Sequence, residues 1–159
     1  MKSIIVEGPN GAGKSTLITQ LSKILDMPSH HAGSDAGSET GAMNCCIEQI
    51  GWIREGAILD RITPISRVIY QKGLGLRETY WLGLMADIMC QEAHIIYCIG
   101  NGEFTEKEYY PEGHLLQITD EREHIRAKYR EVMNALGHIK YDWKLHNIHT
   151  LIDTLRAEG

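Results

Sequence analysis

Apolar residues fall along the chain in two alternating patterns. Short aliphatic runs stand at 3–7 (Ser-Ile-Ile-Val-Glu), 57–59 (Ala-Ile-Leu) and 94–99 (His-Ile-Ile-Tyr-Cys-Ile). Unbroken runs this short predict strands buried on both faces. Between them the spacing lengthens to a helical period. From Lys14 to Asp26 the apolar positions are 17, 18, 21, 24 and 25, one face of a helix. Residues 42–55 set Ala42, Cys45, Cys46, Gln49, Ile50 and Ile53 at the same spacing. Pro64 suits the first turn of a helix over 64–72, and 77–92 predict another, rich in Trp81, Leu82, Leu84, Met85, Ile88 and Met89. Asp120 with Glu123 three residues on has capping-box spacing and predicts a helix over 120–136. Weaker strands are expected at 27–33 and 138–143, and a last helix at 147–156. Residues 33–41 are a polar loop, and 100–119, with Gly, Pro and acidic residues but no period, a loop or flap.

Strands alternating with helices predict an α/β, three-layer sandwich: about five parallel strands covered by helices on both faces. Ligands in such sheets bind beyond the C-terminal strand ends. The length, 159 residues, suits one domain over 1–159. With 43% hydrophobic and 23% charged residues, the chain is neither disordered nor fibrous in composition. A net charge of −5 argues against a broad duplex-binding surface. No apolar stretch reaches the roughly 20 residues of a membrane span, and Met-Lys-Ser-Ile-Ile-Val has no signal-peptide shape. The cysteines at 45, 46, 90 and 98 form no C-x-x-C pair and are expected as reduced thiols in a cytoplasmic protein.

The chemistry concentrates in Gly8-Pro9-Asn10-Gly11-Ala12-Gly13-Lys14-Ser15-Thr16, a full match to G-x-x-x-x-G-K-[ST] between a strand and an amphipathic helix. Glycines let backbone N–H groups turn inward around phosphate oxygens, and the helix N-terminus adds its dipole. Gly8, Asn10, Gly11, Ala12, Gly13, Lys14, Ser15 and Thr16 are therefore the expected ATP-binding residues. Lys14 reaches the β- and γ-phosphates, and the Ser15 hydroxyl ligates Mg²⁺. A dinucleotide-binding reading fails, because Lys14 falls where such a helix meets pyrophosphate through backbone alone.

Asp60 ends the strand at 57–59, where a carboxylate can complete the Mg²⁺ shell or accept a proton. Arg61 beside it is a candidate for gripping a phosphate on the acceptor side. Residues 54–77 hold five basic against two acidic side chains, with Arg67 among them, in an otherwise acidic chain. Such local charge suits an anionic substrate.

Taken together, Ile5-Val6-Glu7-Gly8, the loop Asn10–Thr16, Asp60-Arg61 and the Ser66–Tyr70 segment resemble the thymidylate-kinase-like group of P-loop kinases. The resemblance spans roughly 3–100. It implies a five-stranded parallel sheet, ATP and Mg²⁺ as cofactors, Arg61 on a substrate phosphate, and often a homodimer; the Trp81-Met85-Met89 helix is a candidate interface, and core burial explains its apolar face equally well. The chain departs from the group in being short. It also has His30-His31-Ala32-Gly33 where an acidic-Pro segment is usual. Its 100–119 segment has Lys107 as its one basic residue. Arg122, Arg126 and Arg130 share a helical face next to it, and Arg126 is the candidate catalytic arginine. Their spacing also fits pairing with neighbouring acids.

A short chain with a reduced lid implies an open site that accepts large acceptors. It thereby resembles short phage-encoded kinases, including a subfamily that phosphorylates 5-hydroxymethyluracil in DNA during thymidine hypermodification. The favoured acceptor at this level is that hydroxymethyl group; the alternative is a free deoxynucleoside monophosphate. An alcohol acceptor benefits from a carboxylate that takes its proton, and Asp60, Asp35 and Glu39 are the candidates. His30 and His31 are expected at the substrate phosphate or base. Adjacent strand residues point to opposite faces, so one zinc ion cannot readily use both. Trp52 and Trp81 read as core; Tyr109-Tyr110-Pro111 offer a stacking surface. A regulatory ATPase is the distant alternative, and the guanine-reading N-K-x-D motif is absent from the sequence.

Overall fold

The structure, a computed structural model, describes residues 1–33, 37–99 and 115–159, and only the backbone of 115–121. The elements run β1 (Ser3–Glu7), α1 (Lys14–Leu25), β2 (Ser29–His31), α2 (Glu39–Glu55), β3 (Ile58–Asp60), α3 (Thr63–Tyr70), α4 (Leu76–Gln91), β4 (Ala93–Cys98), α5 (Leu115–Asn134), β5 (Ile139–Tyr141) and α6 (Ile148–Ala157).

The five strands form one parallel sheet in the order β2-β3-β1-β4-β5. β1 is central and buried throughout, which is why its sequence is a continuous apolar run rather than an alternation. Successive residues still separate by face. Ile5, Leu59, Ile95 and Tyr97 join the core under α2, α3, α4 and α5. Ile4, Val6, Ile58, Ile96 and Cys98 join the core under α1 and α6. The three-layer α/β sandwich with five parallel strands is thus the fold.

Several boundaries differ from the sequence expectation. The second and last strands are three residues each, shorter than 27–33 and 138–143. α2 begins at Glu39, because the Ser38 hydroxyl accepts the Gly41 N–H and caps it. α5 begins no later than Leu115, so Asp120 lies inside the helix instead of capping it. Leu115-Leu116-Gln117 are good helix formers and carry the helix across that position. The rest of the expected flap, 100–114, with Lys107 and Tyr109-Tyr110-Pro111, lies outside the described residues.

The Trp81-Met85-Met89 face of α4 is not an outer surface. Met89 is fully buried, and Trp81 and Met85 pack against the core. Trp52 does the same from α2. The outward residues of α4 are Leu76, Tyr80, Leu84 and Ile88, spaced by four. Glu39 pairs with Arg77 near the starts of α2 and α4, and Arg54 with Glu92 near their ends. The two helices therefore run side by side in parallel, and Met43 and Ile47 of α2 are also exposed. Among the described residues no helix is long and apolar enough to cross a membrane.

Candidate active site

The phosphate loop joins β1 to α1. Its glycines are required by geometry at two places. A Cβ on Gly8 would lie 2.5 Å from the carbonyl oxygen of Cys98, so β4 leaves no room for a side chain. Gly13 sits at φ 84° with the Trp143 ring across it, 2.9 Å from where a Cβ would stand. Gly13 also precedes the first turn of α1 and has no side chain to cap it. The N–H groups of that turn are left for an external acceptor, the arrangement that binds anions.

Lys14 is buried, with its Nζ 3.4 Å from the Pro9 carbonyl oxygen. Burial, then the neighbouring Arg61 guanidinium, hold its pKa below the ordinary lysine value. A bound polyphosphate would supply the counter-charge that this ammonium lacks. Ser15 follows it in the same turn.

The turn after β3 supplies the second half of the site. Asp60 ends β3, and one oxygen, Oδ2, is 3.0 Å from Nδ1 of His31. The other, Oδ1, is buried and has no hydrogen-bond partner among the described residues. Arg61 adopts φ 67°. Its Nη2 donates to the Gly8 carbonyl at 3.0 Å and to Asn10 Oδ1 at 2.9 Å, and its guanidinium lies 5.4 Å from the centre of the Tyr70 ring. Arg61 therefore grips the phosphate loop directly. Thr63 opens α3 under a two-bond clasp: Gln49 Oε1 accepts its N–H and Gln49 Nε2 donates to its hydroxyl, both at 2.8 Å.

A cavity of about 250 Å³ opens between these parts, lined by His31–Gly33 after β2, Asp60 and Arg61, and Thr63, Ser66, Arg67, Tyr70 and Gln71 of α3. It brings together three of the four residues expected at the acceptor: His31, Arg61 and Arg67. Arg67 is nearly buried, and its Nε donates to Glu78 at 2.6 Å, which fixes it as part of the cavity wall. His30 does not join them. The strand turns it to the other face, where it stacks on Trp52 with ring centres 4.4 Å apart. The two histidines thus point apart, as adjacent strand residues must.

The remaining expected residues fall elsewhere. Glu39 is held by Arg77 at 2.7 Å and by the Trp81 Nε1–H at 3.0 Å. These hydrogen bonds keep its carboxyl below the usual range, which makes it a poor base, and it does not line the cavity. Asp35 lies outside the described residues. Arg126 is on α5, largely covered, 3.5 Å from Glu123. Its Nε has no hydrogen-bond partner among the described residues, and it is not part of the cavity wall.

Tyr70 and Glu7 stand in segments that carry the resemblance but have no role of their own there. Tyr70 presents its ring to Arg61. Glu7, the final residue of β1, is wholly buried and receives the Ile62 N–H and the Tyr129 hydroxyl. The one available hint is a carboxylate closing a strand that is otherwise apolar. A Mg²⁺ ion would fit the donor set: the Ser15 hydroxyl and the unpartnered Asp60 Oδ1 are hard oxygens close to a phosphate loop.

No protein-family model matches the chain, and no curated protein does. Solved structures do. YorR protein from Bacillus subtilis, in complex with phosphorylated GDP, superposes with a TM-score of 0.73 at 24% identity over 98% of this chain and 96% of that one. Deoxyadenosine kinase from M. mycoides with bound dATP gives 0.62 at 14% identity over 98% and 100%. Thymidylate kinase from Ehrlichia chaffeensis gives 0.54 at 12% over 98% and 97%. The chain has the fold of the P-loop nucleoside and nucleotide kinases.

Proposed function

We propose that the chain is an ATP-dependent P-loop kinase that transfers the γ-phosphate to a thymidine-type deoxynucleoside or deoxynucleotide. One observation carries the reading: Arg61 joins the phosphate loop to a cation-lined cavity, so donor and acceptor would meet at a single guanidinium. The loop amides and Lys14 hold the ATP phosphates. Ser15 and Asp60 would hold Mg²⁺, which would neutralise phosphate charge during transfer. Arg61 and Arg67 anchor the acceptor, and His31, on the Asp60 carboxylate, borders it. The transfer itself asks for positioning and electrostatics more than for covalent chemistry.

The structural neighbours favour a free acceptor over the hydroxymethyl group of 5-hydroxymethyluracil in DNA. The preference for DNA rests on the shortness of the chain. Yet the M. mycoides enzyme, a deoxyadenosine kinase, is matched over its whole length. The acceptor that neighbour is named for is a free deoxynucleoside. The net charge of −5 points the same way. Phosphate transfer to free deoxynucleosides and monophosphates, compared with transfer to duplex DNA containing 5-hydroxymethyluracil, tests the choice. A regulatory ATPase would hydrolyse ATP at a rate no acceptor changes.

Self-association belongs to the same reading, through the outward row of α2 and α4. Met43, Ile47, Leu76, Tyr80, Leu84 and Ile88 are all exposed, Leu76 at 91% and Tyr80 at 70%, and large apolar side chains left in water on neighbouring helices suit a symmetric partner.

A further inference from the structure

Glu7 lies beneath the site and does not line the cavity, yet it joins the chain segments that build it. It ends β1, and the phosphate loop begins at the next residue. Its Oε1 accepts the Ile62 N–H at 2.8 Å, and its Oε2 accepts the Tyr129 hydroxyl of α5 at 3.3 Å. Ile62 directly follows Arg61 and is fully buried.

Arg61 needs this help. Its φ of 67° is a left-handed conformation, which is strained for a non-glycine residue. Two consecutive amides hold it there against β1: the Arg61 N–H on the Val6 carbonyl at 2.9 Å, and the Ile62 N–H on Glu7. The backbone so held aims the guanidinium at Gly8 and Asn10. Without Glu7 as acceptor, the Ile62 N–H would be buried and unpaired, which drives the turn to rearrange.

We propose that Glu7 is a positioning residue: its carboxyl holds the turn after β3 so that Arg61 braces the phosphate loop, and it acts on bound phosphate through Arg61. This rests on the phosphate-loop reading above. The test uses Glu7→Leu, which removes the acceptor at similar volume, and Glu7→Gln, which keeps the acceptor but removes the charge.

The first readout, amide exchange at Ile62, needs no ligand. Glu7→Leu should speed it at least about tenfold while other β1 and β4 amides stay protected, and Glu7→Gln should stay within about twofold of the parent. The second readout is the affinity for tripolyphosphate by calorimetry. Glu7→Leu and Arg61→Ala should each weaken it about tenfold, and the double variant should be no weaker than Arg61→Ala within about twofold. Additive losses, or parental binding by Glu7→Leu, overturn the proposal. Should Glu7→Leu not fold, Glu7→Gln decides. A folded Gln variant with an unprotected Ile62 amide overturns the proposal; one with parental protection and affinity supports it. No tripolyphosphate binding by the parent protein would sink the phosphate-loop reading instead, and Ile62 exchange would still report on the brace.

Discussion

A carboxyl group closed off from water at the end of the central strand has a measurable consequence for stability. Burial pushes the Glu7 pKa from 4.5 to about 7, against the lowering effects of the Ile62 bond, Arg61, Lys14 and Tyr129. A raised folded-state pKa means that the folded protein holds a proton the unfolded chain has released. The associated stability is complete below about pH 4.5 and is lost as pH rises through 7. Glu7→Gln has no proton to lose. Its stability relative to the parent should therefore improve by roughly 2 kcal/mol between pH 5 and pH 8. Urea unfolding at the two pH values measures this, and an unchanged difference would contradict it. The phosphate loop sets a second expectation at this scale. Gly13→Ala meets both a left-handed φ and the Trp143 ring, so it should cost about 1–2 kcal/mol and weaken ATP binding. Thermal melting with and without ATP checks both parts.

At the level of elements, the row Tyr80, Leu84, Ile88 with Met43 and Ile47 is the exposed feature that asks for a partner. A Leu84→Arg substitution puts a charge into the middle of that row without touching the core. It should convert the proposed dimer to a monomer in light scattering and leave the folded spectrum unchanged. A parent that is monomeric at tens of micromolar would contradict the interface. How far these elements could be read in advance follows from their physics. β1, β3, β4 and the helices α1 to α4 were legible, because continuous apolar runs and a 3.6 period need no tertiary context. β2 and β5 are edge strands, largely exposed or half-buried, so no continuous apolar run marks their ends as it does for the equally short β3. The Asp120–Glu123 pair mimics a cap, and nothing local reveals that the helix already runs through it. Spacing alone leaves the Trp81-Met85-Met89 face of α4 open between core and partner, since burial of Met89 depends on which side meets the sheet. In the site, the phosphate loop and Asp60-Arg61 stand in the motif. Glu7 and Tyr70 stand in the matching segments without a legible role, and Gln49 stands in none, because their roles arise from contacts 55, 9 and 14 residues away in sequence.

At the scale of the whole molecule, one parallel sheet carries two parts side by side, to which the proposed kinase gives separate work: the loop after β1 for the donor, and the cation-lined cavity after β2 and β3 for the acceptor. The shared fold with nucleoside and nucleotide kinases sets the architecture, and Arg61 links the parts. The most direct test is transfer of labelled γ-phosphate from ATP with Mg²⁺. The acceptors are free deoxynucleosides, dTMP, dCMP and dGMP, plain duplex DNA, and duplex DNA carrying 5-hydroxymethyluracil. Lys14→Ala runs beside the parent. The account predicts label on a free deoxynucleoside or monophosphate, reduced by at least about 100-fold in Lys14→Ala. Label confined to the modified DNA would keep the kinase and overturn the free acceptor. Transfer undiminished in Lys14→Ala, or ATP hydrolysis indifferent to every acceptor, would contradict the central claim.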